Sequence, residues 1–180
     1  MDRSGSHLET VGLVVRTLTD AGFEPVLVGG MALVVLGSQR VTRDFDFVIA
    51  HPREHLETVV NVMYDHGLEL VSRFNDVGEV TATIANRRVA VSRIRLDRPA
   101  SVHFFNSKTR LRVDLLFDFP VPAATLAENA TRTKIRSHVM RVASEADLLH
   151  LKKLARAKRS APGDAQDIAF LEARVPPVSR

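Results

Sequence analysis

Two aspartates, Asp44 and Asp46, stand two residues apart in the run RDFDFVIA. Side chains alternate along a strand, so both carboxylates share one face, roughly 6 to 7 Å apart along the chain. Phe45 and Phe47 take the opposite face. Two like charges at that spacing repel unless a cation neutralises them. Mg²⁺ suits the task because it prefers carboxylate and phosphate oxygens. Two such ions beside a triphosphate would activate a hydroxyl and steady the phosphates during in-line attack. A bare Asp-x-Asp also fits a solvated strand face, so the pair needs support from its surroundings.

That support lies upstream and downstream. Gly29-Gly30 follows the apolar run PVLV and precedes MALVVLG. A strand, a Gly-Gly turn and a helix leave free backbone N–H groups with no side chain in the way, which suits a phosphate. Between the turn and the acids stand Arg40 and Thr42. Arg40 is suited to hold a phosphate or to pair with one of the acids. Thr42 is suited to brace or cap the turn before Asp44. Further on, Asp114 interrupts the apolar strand of TRLRVDLLFDF, where an acid is costly unless paired or metal-bound. Asp118 shares its face, so periodicity does not separate the two. Asp114 sits mid-strand and is preferred as ligand and general base; Asp118 reads as a strand-end or turn acid.

The elements that must position these residues follow from spacing. Residues 7 to 21 carry apolar positions at helical intervals before Gly22. PVLV is a short buried strand, MALVVLG a short helix, and RDFDFVIA an alternating strand. Pro52 opens a helix to about His66, stopped by Gly67. LELVSRF, EVTATIA, RRVAVSRIRL, SVHFFN and TRLRVDLLFDF read as strands from β-branched content and alternation. A helix over about 122–130 and a hairpin in TKIRSHVMRV come next. Ser144 with Asp147 forms a capping box, with Asp in place of the usual Glu, and opens the basic helix EADLLHLKKLARAKR. Ala161-Pro162-Gly163 is a turn, DAQDIAFLEARV a last helix, and 176–180 a loose tail. The expected fold class is α/β (α+β).

Composition narrows the partners. The 180 residues suit one domain, or one domain with a helical appendage. The absence of Cys excludes disulfides, thiolate zinc sites and cysteine nucleophiles. No Gly-x-Ser-x-Gly run is present. The polar N-terminus lacks a signal-peptide core, and no apolar run reaches membrane-spanning length, so a soluble cytoplasmic protein with no membrane contact is expected. The net charge of +4 and pI near 9.9 suggest a polyanionic partner, a nucleotide or nucleic acid. The cluster Lys152, Lys153, Arg156, Lys158 and Arg159 suits a phosphate backbone or a solvated helix face. Aromatics are sparse, which gives no support to base stacking. His51 and His55 read as surface residues with no third metal ligand nearby; His103 and His150 read as structural.

The run VGGMALVVLGSQRVTRDFDFVI resembles the nucleotidyltransferase superfamily related to DNA polymerase β, and within it the AbiEii-like and minimal nucleotidyltransferase branch. That branch includes toxins of toxin–antitoxin pairs and some aminoglycoside nucleotidyltransferases. Gly29, Gly30, Ala32, Gly37, Arg40, Thr42, Asp44 and Asp46 carry the likeness, and Asp114 in RVDLLF matches the third acid. Lys152, Asp164 and Asp167 match the family's helical segment. The resemblance covers roughly residues 24–50 and 108–171. Gly30 stands where many relatives have serine, and the stretch after Lys152 differs from their Arg-Pro-Lys-Asp run.

The resemblance implies a mixed sheet flanked by helices, with a catalytic domain over 1–142 and a helical segment over 143–180. It implies two Mg²⁺ ions on Asp44, Asp46 and Asp114, with Asp114 taking the proton from the attacking hydroxyl. Gly29, Gly30, Arg40, Thr42 and Lys152 would form the nucleotide side of the site. The implied activity moves a nucleoside monophosphate from an NTP, such as ATP, to an RNA, a protein or a small molecule such as an aminoglycoside. An antitoxin partner is implied if the chain is a toxin. The alternative is a non-catalytic nucleotide- or RNA-binding protein on the same fold; a metal-dependent nuclease is a third option.

Overall fold

The computed structural model describes residues 3–97, 101–158 and 163–175. Helix α1 (Arg3–Asp20) buries Val11, Val14, Val15 and Leu18, one stripe at helical spacing. Gly22, at φ +89°, follows its end and lets the chain reverse. Strand β1 (Val26–Val28) is wholly buried and runs straight into helix α2 (Gly29–Val35). Strand β2 (Asp44–Ile49) follows, with Phe45 and Phe47 in the core while Asp44 and Asp46 stay partly exposed on the other face. Burying each phenylalanine contributes about 1.5–3 kcal/mol, which fixes the strand's facing and so aims the two acids. After Pro52 comes a 3-10 turn, Arg53–His55, and then helix α3 (Leu56–Asp65).

The middle of the chain holds strands β3 (Glu69–Phe74) and β4 (Val80–Ile84), helix α4 (Arg87–Arg93), and strands β5 (Ser101–Phe105) and β6 (Arg112–Phe117). The expected strand RRVAVSRIRL is therefore corrected to a helix. Asn86 caps α4, its side-chain oxygen accepting from Arg88 N at 3.0 Å and Val89 N at 3.2 Å. Ala90, Val91 and Ile94, at helical spacing, pack on the core. Arg87 bonds Asn61 and Asp65 of α3 at 3.1 and 3.0 Å. A cap and a tertiary seat outweigh the β-propensity of two valines.

Helix α5 (Ala123–Asn129), the hairpin β7 (Thr131–Ile135) and β8 (His138–Val142), and helices α6 (Glu145–Lys158) and α7 (Asp164–Glu172) complete the described chain. Ser144 Oγ accepts from Asp147 N at 3.1 Å and donates to the Asp147 carboxylate at 2.7 Å, so the shortened box closes on the hydroxyl. Residues 161 and 162 of the expected turn, and the tail 176–180, lie outside the described residues.

The eight described strands form one mixed sheet in the order β4-β3-β5-β6-β2-β1-β8-β7. The pairs β2–β6 and β1–β8 are parallel, and the other neighbours are antiparallel. Register decides the rest. Asp46 lies opposite Asp114 and Asp44 opposite Arg112 across β2–β6, while His103 of β5 lies opposite Asp114. Neighbouring strands are roughly 4.8 Å apart, so these side chains meet on one sheet face. Among the described residues no helix is long and apolar enough to cross a membrane.

Candidate active site

Gly29 opens α2 at φ +67°, in the left-handed region that a side chain disfavours. A Cβ built there would stand 2.2 Å from Asp46 Oδ2, so this glycine is what allows the acid to press against the turn. A Cβ on Gly30 would stand 2.7 Å from Arg40 Nε, so the second glycine makes room for a guanidinium. The turn is thus fitted to Asp46 at Gly29 and to Arg40 at Gly30.

These groups line a cavity of about 530 Å³, a volume suited to a small ligand. All eight residues expected from the sequence border it: Gly29, Gly30, Arg40, Thr42, Asp44, Asp46, Asp114 and Lys152. Thr42 makes no hydrogen bond among the described residues, so the expected brace or turn cap is not formed there. Asp118 is settled by its bonds: its carboxylate accepts from His51 N at 2.9 Å and from Ala123 N at 2.8 Å, tying the end of β6 to the start of α5. It does not border the cavity.

The three acids sit in different electrostatic settings. Asp46 makes no hydrogen bond or ion pair among the described residues; burial, then the charges of Asp114 and Asp44, push its pKa up to about 7. Burial also raises Asp44, against the pull of Arg112, whose Nη1 lies 3.5 Å away. Burial acts on Asp114 in the same direction, yet bonds from His103 and Arg112 hold it below the usual carboxylate range. Arg112 donates through Nε at 2.9 Å and Nη2 at 2.6 Å, and His103 Nδ1 stands 2.9 Å from Oδ2.

The oxygen-rich donor set and the uncompensated charge at Asp46 fit a hard divalent cation. Asp44 and Asp46 are the residues that fit it best. Among the described residues no three acidic or imidazole side chains already converge as a metal cage; Asp114 is turned toward Arg112 and His103 instead.

On the opposite wall, Arg40 Nη1 pairs with Asp167, and Lys152 Nζ reaches Asp167 at 2.7 Å and Asp164 at 3.3 Å. The alternative that Arg40 pairs with one of the strand acids is therefore replaced by an ion pair to α7. Arg40 Nε is buried with no hydrogen-bond partner among the described residues. The basic cluster of α6 is not one solvated track: Lys152 turns inward, Lys153 pairs with Glu172 at 2.7 Å, and Arg156 is exposed. The side chains of Lys158 and Arg159 lie outside the described residues.

The site holds two residues beyond those expected from the sequence. Arg112 lies two positions before Asp114, and period two already places both on one face. His103, expected to be structural, reaches Asp114 only through β5–β6 pairing, which leaves no local signal.

Solved structures of similar fold share this architecture. A solution structure of the antibiotic-resistance factor ANT(2″)-Ia is 11% identical, with a TM-score of 0.58 over 95% of this chain and 85% of that one. A crystal structure of ANT(2″)-Ia in complex with adenylyl-2″-tobramycin is 12% identical, with a TM-score of 0.53 over 94% and 89%. The lincomycin-bound lincosamide antibiotic adenylyltransferase LnuA is 12% identical, with a TM-score of 0.57 over 93% and 97%. No curated protein matches the sequence. The family model for the nucleotidyl transferase AbiEii toxin of type IV toxin–antitoxin systems matches residues 15–178, and the chain belongs to that nucleotidyltransferase family.

Proposed function

We propose that this chain transfers a nucleoside monophosphate from an NTP, with Mg²⁺, to the hydroxyl of an acceptor. The observation that carries the reading is the meeting of Asp44, Asp46 and Asp114 in one cavity beside the Gly29-Gly30 turn. ATP is the first nucleotide to test, because LnuA is an adenylyltransferase and ANT(2″)-Ia is seen with an adenylylated tobramycin.

Asp44 and Asp46 would hold Mg²⁺, which when bound neutralises charge on the reacting phosphate and the departing pyrophosphate. Gly30 and the side chains of Arg40 and Lys152 receive the phosphate chain. The acceptor oxygen forms a bond to the α-phosphorus as the bond to the β-phosphate bridge breaks, and pyrophosphate leaves. Asp114 takes the hydroxyl proton. A carboxylate offers about four lone-pair sites, and Arg112 and His103 fill three, which leaves one for the hydroxyl. Residues 1–142 act as the catalytic unit, and the segment 143–180 supplies the phosphate wall through Lys152. The protein acts in the cytoplasm as a toxin whose antitoxin partner restrains it.

Incubation with α-labelled ATP, Mg²⁺ and either tRNA, total protein or an aminoglycoside tests this directly. Label should enter one acceptor class with release of pyrophosphate, and Asp44→Ala or Asp46→Ala should lower the rate by at least about a thousandfold. Nucleotide binding without turnover would instead identify a non-catalytic binder, and shortening of RNA a nuclease. Growth arrest on expression that needs Asp46 supports the toxin role; unchanged growth with raised aminoglycoside tolerance would replace it by resistance.

A further inference from the structure

We propose that Arg112 is the resident cation of this site, standing where a second divalent ion would meet Asp114, so that the chain works with a single metal ion at Asp44 and Asp46. The inference rests on the nucleotidyl-transfer reading and deepens it.

Position comes first. Arg112 precedes Asp114 by two residues on β6 and lies opposite Asp44 of β2 in register. Its side chain therefore rises from the same sheet face as all three acids. The guanidinium then bridges two of them. Nε and Nη2 grip both oxygens of Asp114 at 2.9 and 2.6 Å, and Nη1 stands 3.5 Å from Asp44 Oδ2. A planar fork on a carboxylate is the strong, bidentate form of this pair.

A Mg²⁺ ion at Asp114 would need a carboxylate lone pair at about 2.1 Å; the fork takes two of roughly four, and one is kept for the acceptor hydroxyl. His103 Nδ1, 2.9 Å from Oδ2, takes another of those positions. The guanidinium is also held from behind. It lies 5.1 Å from the centre of the Phe74 ring, and Phe74 meets His103 edge-on at 5.2 Å. Arg112 cannot leave Asp114 without giving up this seat, and it keeps its charge at every pH at which the protein is folded. Asp46, by contrast, has no cationic hydrogen-bond partner among the described residues.

The test counts Mn²⁺ in place of Mg²⁺. Wild-type protein, Arg112→Ala and Arg112→Gln are mixed with Mn²⁺ and α,β-methylene-ATP, the nucleotide kept below the protein concentration, and bound Mn²⁺ is read by electron paramagnetic resonance. Circular dichroism identifies which variants are folded, and Arg112→Gln keeps a donor to Asp114 should the alanine variant unfold. One uncoupled Mn²⁺ per bound nucleotide is expected in the wild type. Two are expected in a folded variant, with the spin coupling of ions roughly 3.5–4 Å apart. Two coupled ions in the wild type would overturn the assignment and leave nucleotidyl transfer intact. One ion in every protein would equally overturn it, since the freed Asp114 would then have gained nothing. No retained Mn²⁺ in the wild type would remove both readings together.

Discussion

Asp46 carries an electrostatic load that no side chain among the described residues relieves by a hydrogen bond or ion pair. Its pKa near 7 against an ordinary 3.8 means that the folded chain holds a proton there which the unfolded chain has released. Stability therefore falls as pH rises from about 4 to about 7, because the native state binds more protons across that window. Asp114 has the opposite sign: its bonds to Arg112 and His103 stabilise the fold above about pH 4, and that support is lost as pH falls through its lowered pKa. Thermal melts at about pH 4 and pH 8 should show Asp46→Asn more stable than wild type at pH 8, by about 1–3 kcal/mol, and little changed near pH 4. Added Mg²⁺ should raise the wild-type Tm at pH 8 and leave Asp46→Asn unmoved. A variant with the wild-type pH profile would show that Asp46 carries no such load.

Among the elements, the β1–α2 junction and α4 respond to substitution in different ways. Gly29 combines φ +67° with a space so tight that an added Cβ would lie 2.2 Å from Asp46 Oδ2. Gly29→Ala therefore adds backbone strain and pushes the acid away. A loss of about 1–3 kcal/mol in chemical denaturation, with at least tenfold lower kcat, is expected. Asn86→Ala removes only the cap of α4 and should cost about 1 kcal/mol with kcat unchanged, which makes it the matched control. The same contrast explains what local pattern can carry. The facing of β2 is legible because Phe45 and Phe47 alternate with the acids. The α4 segment reads as a strand because Val89 and Val91 also alternate; the Asn86 cap is a local signal for helix, while the seat against α3 joins residues 22 and 26 positions apart and leaves none.

For the molecule as a whole, the sheet supplies the acids, while the opposing cations come from α6 (Lys152) and the loop between α2 and β2 (Arg40), joined at Asp167 of α7. That carboxylate is buried and takes both Arg40 and Lys152. Asp167→Ala leaves two cations facing each other with less compensation. It should cost roughly 2–4 kcal/mol and raise KM for ATP about threefold to tenfold with a smaller change in kcat. Thermal melts and steady-state kinetics check both; an unchanged KM would show that the pair does not position the phosphate wall. Residue order alone establishes the local terms: the Gly-Gly turn, two acids on one strand face, a third acid in an apolar strand, and a basic helix near the C-terminus. Spacing and periodicity act over a few residues, so they are enough for these. Which charge neutralises which is mostly settled by packing in three dimensions: His103 on Asp114, Arg112 across to Asp44, and Asp167 on Arg40 and Lys152. Those pairings depend on sheet register and on the docking of α7, which bring together residues up to 127 positions apart. Charge compensation depends on distance in space, and no local pattern in the chain records it.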